Sequence, residues 1–346
     1  ITDANNCTKT TSVEITEPVE LTIADAGLST TILCYDDDGQ IKINITGDSN
    51  GPSSSNTNGG TSRVYTYTLT GTDYNNNTVN TSVDITALTK TFTVKAGTYK
   101  VKVTDVNGCF KETADITLTQ PDAALSLSLT DTDITCFGLT NGSINSTVSG
   151  GTANYTYVWK KDGTTLNNET GANINNLGIG TYELTVTDNN GCTITKTAII
   201  TQPTELTVDS ITPSNYNGFG VKCKGDSNGT IDLEVSGGTA PYTYAWKKDG
   251  TTINNVTTQD LADLGVGTYS VTITDANNCT KTVSAEITEP TELTSTSSVP
   301  KTNGFAVACF GDSSGAINIT PSGGTGVYTY NWSSKVSNSG LAQGEK

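Results

Sequence analysis

Apolar and polar positions alternate with period two along most of the chain. In residues 267–279 (GTYSVTITDANNC) Tyr269, Val271 and Ile273 alternate with Thr268, Ser270, Thr272 and Thr274. Successive side chains of a strand point to opposite faces, so this segment predicts a strand with an aromatic and aliphatic face inward and a threonine face outward. The same phrase stands at 97–109 (GTYKVKVTDVNGC) and 180–192 (GTYELTVTDNNGC). A second alternating phrase precedes each: Gly237-Gly238-Thr239-Ala240-Pro241-Tyr242-Thr243-Tyr244-Ala245-Trp246, with counterparts GGTANYTYVW at 150–159 and GGTGVYTYNW at 323–332. A weaker counterpart, GGTSRVYTYTL at 59–69, has Leu69 in the tryptophan slot. Tyr242, Tyr244 and Trp246 share one strand face. The Gly-Gly before them and the Asp-Ala-Asn-Asn after Thr274 supply turns.

Self-similarity at a long period defines the architecture. Each copy closes on Ile/Leu-Thr-Gln/Glu-Pro, ending at Pro18, Pro121, Pro203 and Pro290. The chain therefore divides into 1–18, the end of a preceding copy; 19–121, a copy with insertions; 122–203 and 204–290, two regular copies; and 291–346, the first part of a further copy. The insertions, Gly47 to Gly60 and Tyr74 to Leu88, read as surface excursions on an unchanged core. Within 204–290 the strands predicted are Leu206–Ile211, Ile231–Val235, Tyr242–Trp246, two short strands inside Thr251–Leu264, Tyr269–Ile273 and Thr280–Ile287. About seven short strands with turn signals between them predict an all-β chain, a tandem array of immunoglobulin- or fibronectin-like antiparallel sandwiches forming an extended rod. The junctions are short and proline-locked, as in Pro203-Thr204-Glu205-Leu206, and unlike flexible tethers. Because Ile1–Cys7 repeats Ile273–Cys279 letter for letter, the segment is expected to be an excerpt of a longer array.

Composition then narrows the function. A net charge of −16 excludes a phosphate backbone as the natural partner. Hydrophobic residues make up 34% and form no run long enough to span a bilayer. The sequence has no histidine, so it can hold neither a Ser-His-Asp nor a Cys-His relay, and it reads as no enzyme. Trp159, Trp246 and Trp332, with Tyr182 and Tyr269, are read as core residues rather than sugar-stacking platforms. Asp36, Asp38, Asp226 and Asp312 are weak calcium candidates. They lack a complete calcium loop and suit turns as well. No other cofactor is indicated.

The eight cysteines form two classes. Cys34, Cys136, Cys223 and Cys309 precede the second strand of a copy. Cys7, Cys109, Cys192 and Cys279 follow the Gly-Thr-Tyr phrase. Even, regular placement in an all-β chain predicts disulfides and an oxidising compartment. Two pairings are open. Strand parity puts the early and late cysteine of one copy at opposite ends of its sandwich, about 20 Å apart, whereas a disulfide needs Cα atoms within about 7 Å. Parity therefore favours Cys34–Cys192 and Cys136–Cys279, staples between copies. The alternative is pairing within copies: Cys34–Cys109, Cys136–Cys192 and Cys223–Cys279.

Together, the cysteine-glycine turn, the GGTxxYTYxW and GTYxVTVTDxNxC phrases and the closing ITQP resemble the SprB-type repeat of very large cell-surface adhesins of gliding Bacteroidota. The resemblance is close over 122–203 and 204–290 and weaker over 19–121, where Tyr35-Asp36-Asp37-Asp38 follows Cys34. It implies a structural stalk segment of a surface filament outside the outer membrane, exported by type IX secretion and driven by the gliding machinery. The implied partners are neighbouring copies, with surface polysaccharide or an abiotic surface as the adhesive target. A carbohydrate-binding array is the alternative reading.

Overall fold

The alternating phrases fold as strands that bury the face predicted. A computed structural model describes residues 1–15, 17, 19–26, 30–46, 64–311 and 315–333. The insertion at 47–60 and Asp312 lie outside the described residues. Among the described residues there is no helix.

The first copy contains β1 (Thr22–Ala26), β2 (Gly39–Thr46), β3 (Tyr65–Asp73), β4 (Thr78–Ile85), β5 (Thr89–Val94), β6 (Gly97–Thr104), β7 (Phe110–Glu112) and β8 (Ile116–Leu118). The second contains β9 (Ser126–Thr132), β10 (Gly142–Ser149), β11 (Thr156–Lys161), β12 (Thr164–Thr165), β13 (Ile174–Leu177), β14 (Gly180–Thr187) and β15 (Thr193–Ile200). The third contains β16 (Thr207–Pro213), β17 (Gly229–Ser236), β18 (Thr243–Lys248), β19 (Thr251–Thr252), β20 (Leu261–Leu264), β21 (Gly267–Thr274) and β22 (Thr280–Ile287). The last holds β23 (Thr294–Ser298) and β24 (Asn318–Ser322).

In the third copy one sheet runs β16-β17-β20 and the other β19-β18-β21-β22. The second copy repeats this order with β9-β10-β13 and β12-β11-β14-β15. Seven antiparallel strands split three and four, the short fourth strand pairing with the third, make a fibronectin-type sandwich. Register explains the core. Trp246 stands opposite Val271, and Val271 opposite Val283. Trp246, Val271 and Ile273 have no exposed surface, and Leu206, Ile231, Leu233 and Ile287 close around them. In the first copy Leu69 takes the tryptophan slot opposite Val101.

The residues from Tyr74 to Leu88 depart from expectation. They continue a hairpin, with Tyr65 opposite Ile85 and Thr72 opposite Thr78. Val79, Val83 and Ile85 pack against the copy's core. Their period-two spacing was masked by the asparagine and threonine between them, so this insertion widens the sheet.

The Gly-Gly turn is forced by two close approaches. A Cβ on Gly237 would lie 1.8 Å from the Glu205 carbonyl oxygen, and one on Gly238 would lie 2.8 Å from an Asp275 carboxylate oxygen. Both residues also have positive φ, 71° and 59°, a region open to glycine at no steric cost. The chain divides into two units, one of residues 1–132, 143–175 and 180–200 and one of 133–142, 176–179 and 201–346.

Candidate functional site: the stapled joint between copies

The joint is built from two preformed pieces. One is the turn that presents the early cysteine. In the first copy the Asp37 amide donates to the Cys34 carbonyl; in the second Leu139 does so to Cys136, and in the third Asp226 to Cys223. The backbone amide two residues after each of these cysteines is held by the closing phrase of the same copy. Asp36 N–H donates to Gln120 Oε1 at 2.9 Å, Gly138 N–H to Gln202 Oε1 at 2.9 Å and Gly225 N–H to Glu289 Oε2 at 2.8 Å.

The other piece is the Asp-x-Asn-x-Cys loop after the Gly-Thr-Tyr strand. Asp188 Oδ1 accepts from the amides of Asn190 and Cys192, both at 2.9 Å, and its Oδ2 accepts from the Thr152 amide at 2.9 Å. Asp275 repeats this with Asn277, Cys279 and Thr239 at 2.9, 2.8 and 2.9 Å. Both carboxylates are buried, 5% and 4% exposed. Burial alone would raise the Asp188 pKa. The amides of Thr152, Cys192, Asn190 and Gly191 outweigh it and hold the pKa below the ordinary carboxylate value.

The two pieces meet twice. In the first unit Cys34 bonds Cys192, and in the second Cys136 bonds Cys279, each with Cα atoms 5.7 Å apart. Beside each sulfur bridge an asparagine reaches the neighbouring copy. Asn190 Nδ2 donates to the Leu33 carbonyl at 2.9 Å and to Thr152 Oγ1 at 2.9 Å. Asn277 Nδ2 donates to the Thr135 carbonyl at 3.0 Å and to Thr239 Oγ1 at 3.1 Å. Pairing within copies is thereby corrected: Cys34–Cys109, Cys136–Cys192 and Cys223–Cys279 are not formed. Cys7, Cys109, Cys223 and Cys309 are exposed free thiols. The reason is strand parity, which holds the early and late cysteine of one copy at opposite ends of its sandwich.

The other candidate residues separate clearly. Trp159 and Trp246 have no exposed surface, and their indole N–H groups donate to the carbonyls of Gly171 and Thr258 at 2.9 and 3.0 Å. Tyr182 and Tyr269 are buried, and the Tyr269 hydroxyl donates to the Gly265 carbonyl at 3.0 Å. Trp332 is a correction to the core assignment. It is 56% exposed, because among the described residues no Gly-Thr-Tyr strand of its copy lies across it. Lys95 occupies the cleft between Asp36 and Asp38, at 3.6 and 3.1 Å. A hydrogen bond to Asp38 leads the contacts that raise the Lys95 pKa. Asp226 is a turn residue: its Oδ2 accepts from the Cys223 amide at 3.1 Å and the Asn228 side chain at 2.9 Å. Sequence reading missed Asn190, Asn277, Gln120, Gln202 and Glu289. Their signal is fixed spacing from the cysteines and from the closing proline.

Strand order and joints define a tandem array of sandwiches cross-linked copy to copy. The SprB repeat matches this chain at residues 128–164, 221–251 and 307–336, so the chain carries SprB repeats. Residues 221–251 run from the cysteine turn through β17 and β18. A decoration protein of Escherichia phage T5 is 40% identical over 57 residues, 15% of this chain and 35% of that protein, so the chain spans about a third of that relative's length. Similar solved structures include Drosophila OTK extracellular domains 3–5, at 13% identity over 80% of this chain and 98% of that one, with a TM-score of 0.27. The eight N-terminal immunoglobulin domains of Down Syndrome Cell Adhesion Molecule give 14% identity over 79% and 36%, with a TM-score of 0.30. Three fibronectin domains of chicken CNTN1 give 9% over 79% and 99%, with a TM-score of 0.22. The fold rests on the strand order above rather than on these scores.

Proposed function

We propose that this chain is a non-enzymatic stalk segment of a filamentous cell-surface adhesin, which carries an adhesive region away from the cell for surface attachment and gliding. The observation that carries the reading is the same staple at two successive junctions: cross-linking copy to copy is what a tether under drag requires. SprB repeats and disulfides support an extracellular setting. Export by type IX secretion, attachment at the outer membrane and movement by the gliding machinery follow the resemblance to gliding adhesins. In this reading the segment needs no cofactor, calcium included. Its partners are neighbouring copies, and polysaccharide or an abiotic surface meets the adhesive region elsewhere in the filament.

Beads coated with antibody against residues 204–290 test it on living gliding cells. Directed transport of beads along the cell supports a moving stalk; random diffusion of bound beads overturns the gliding part. The carbohydrate-binding reading has one observation in its favour, the exposed rings of Trp332 and Tyr330. Saturable glycan binding by the purified segment, lost in Trp332→Ala, would replace the stalk reading.

A further inference from the structure

The sheet that ends on a very short strand in the regular copies ends on a long one in the first. β12 and β19 have 2 residues each, whereas β4, in the same place beside the third strand, has 8. Its register with β3 runs unbroken from Tyr65–Ile85 to Thr72–Thr78. Among the described residues no strand pairs with its other side. An exposed edge is a template for another strand, so edges are usually short, bulged or guarded by lysine or proline. β4 reads TVNTSVDI, with neither guard and a single charge, Asp84.

The hairpin tip fixes which backbone groups face out. The Asn76 amide donates to the Asp73 carbonyl and the Asp73 amide to the Asn77 carbonyl, both at 3.0 Å. Hydrogen-bonded pairs alternate along an antiparallel ladder. Counted from Asp73 and Asn77, the residues Val79, Thr81, Val83 and Ile85 turn their N–H and C=O groups toward β3. Thr78, Asn80, Ser82 and Asp84 turn theirs outward. On the core face Val79 and Val83 are only partly buried, whereas Tyr67, opposite Val83 on β3, is fully buried.

We propose that β4 pairs antiparallel with β4 of a second copy of this chain, about a two-fold axis at Thr81. This register meets every outward group. Thr78 faces Asp84 of the second copy and Asn80 faces its Ser82, each pair exchanging both N–H···O=C bonds. The side chains agree. Thr78 comes to stand beside Asp84 as Thr66 does on β3, where its hydroxyl donates to Asp84 Oδ1 at 2.6 Å. Val79 meets Val83 and extends the apolar face. The two Asp84 carboxylates fall at opposite ends of the ladder, about 20 Å apart at about 3.4 Å per residue. That exceeds the screening length of about 8 Å at physiological ionic strength. Any other register leaves an outward residue of each strand without a counterpart. The same patch serves both chains, so the assembly closes as a dimer. The inference rests on the sheet edge and is independent of the adhesin reading.

The full chain provides the test, carrying Cys7→Ser, Cys109→Ser, Cys223→Ser and Cys309→Ser and keeping both staples. In sedimentation equilibrium the mass should rise with concentration from that of one chain to that of two, and stop there. Asn80→Pro removes an outward N–H that β3 does not use, a substitution edge strands tolerate, and should weaken dimerisation at least about tenfold at an unchanged melting temperature. Cross-linking reads the register without proline. Thr81→Cys, set opposite itself with Cα atoms about 4.5 Å apart, should form a disulfide dimer under mild oxidation. It should do so at least about tenfold faster than Val79→Cys or Val83→Cys, whose own counterparts lie beyond disulfide reach. The mass of one chain at the highest concentration would overturn the proposal. So would association past the dimer, association that survives Asn80→Pro in a folded chain, or cross-linking that peaks away from position 81.

Discussion

Asp188 shows how one side chain can serve fold and joint together. Its carboxylate gathers three backbone amides at 2.9 Å, and charged acceptors of this kind contribute about 1.5–3 kcal/mol per bond. Because its pKa is lowered in the folded state, the stability it contributes is fully present above the unfolded carboxylate value, about 3.9. That stability is lost as pH falls through the lower folded value. Thermal melts should therefore show stability falling below about pH 4. Asp188→Asn should flatten that acid limb and cost about 2 kcal/mol at neutral pH. The tryptophans give a second residue-scale prediction. Trp246→Ala empties a fully buried slot and should cost about 3–5 kcal/mol. Trp332→Ala, at a half-exposed ring, should stay within about 0.5 kcal/mol. Urea denaturation of the two variants measures both.

At the scale of elements, what the sequence showed and what it hid divide along one line. Local periodicity was legible: Tyr269, Val271 and Ile273 lie inward in β21 as alternation requires. Strand parity even favoured the pairing of Cys34 with Cys192 over a partner in its own copy. Contacts across long separations left no local trace. Asn277 reaches a carbonyl 142 residues away, and nothing in Asp-Ala-Asn-Asn-Cys marks it as more than a turn. Trp332 shows the reverse case. Its phrase is legible, yet burial depends on strands that other residues supply. The copies themselves have separate cores, so the staple should hold neighbours together without being needed to fold either. Cys136→Ser should therefore keep the β-sheet circular dichroism signal while lowering the melting temperature. The entropy lost from the unfolded chain sets an upper bound of about 5 kcal/mol for a closed loop of this size. Loss of the sheet signal in Cys136→Ser would mean that the copies do not fold independently.

Over the whole molecule the two staples overlap in sequence, since Cys136 lies between Cys34 and Cys192, and Cys192 between Cys136 and Cys279. This interlocking has a mechanical consequence independent of how the copies are oriented. Pulled from its ends until unfolded, the reduced chain of 346 residues extends to roughly 1,200 Å at about 3.5 Å per residue. With both bridges intact, tension runs from residue 1 to Cys34, backward from Cys192 to Cys136, and onward from Cys279. That path is roughly 560 Å at the same rise per residue. Removing one bridge releases only a minor part of what removing both releases, because the other still closes most of the chain. Cys34→Ser should add roughly 150 Å and Cys279→Ser roughly 100 Å, whereas removing both should add roughly 650 Å. Loops that did not overlap would instead release length additively. Single-molecule pulling of the four chains measures the increments, and additive values would rule out the interlocked arrangement. Non-additive increments would mean that a single reduced staple releases only a minor part of the length that losing both releases, so either bridge alone still limits the extension of the unfolded segment.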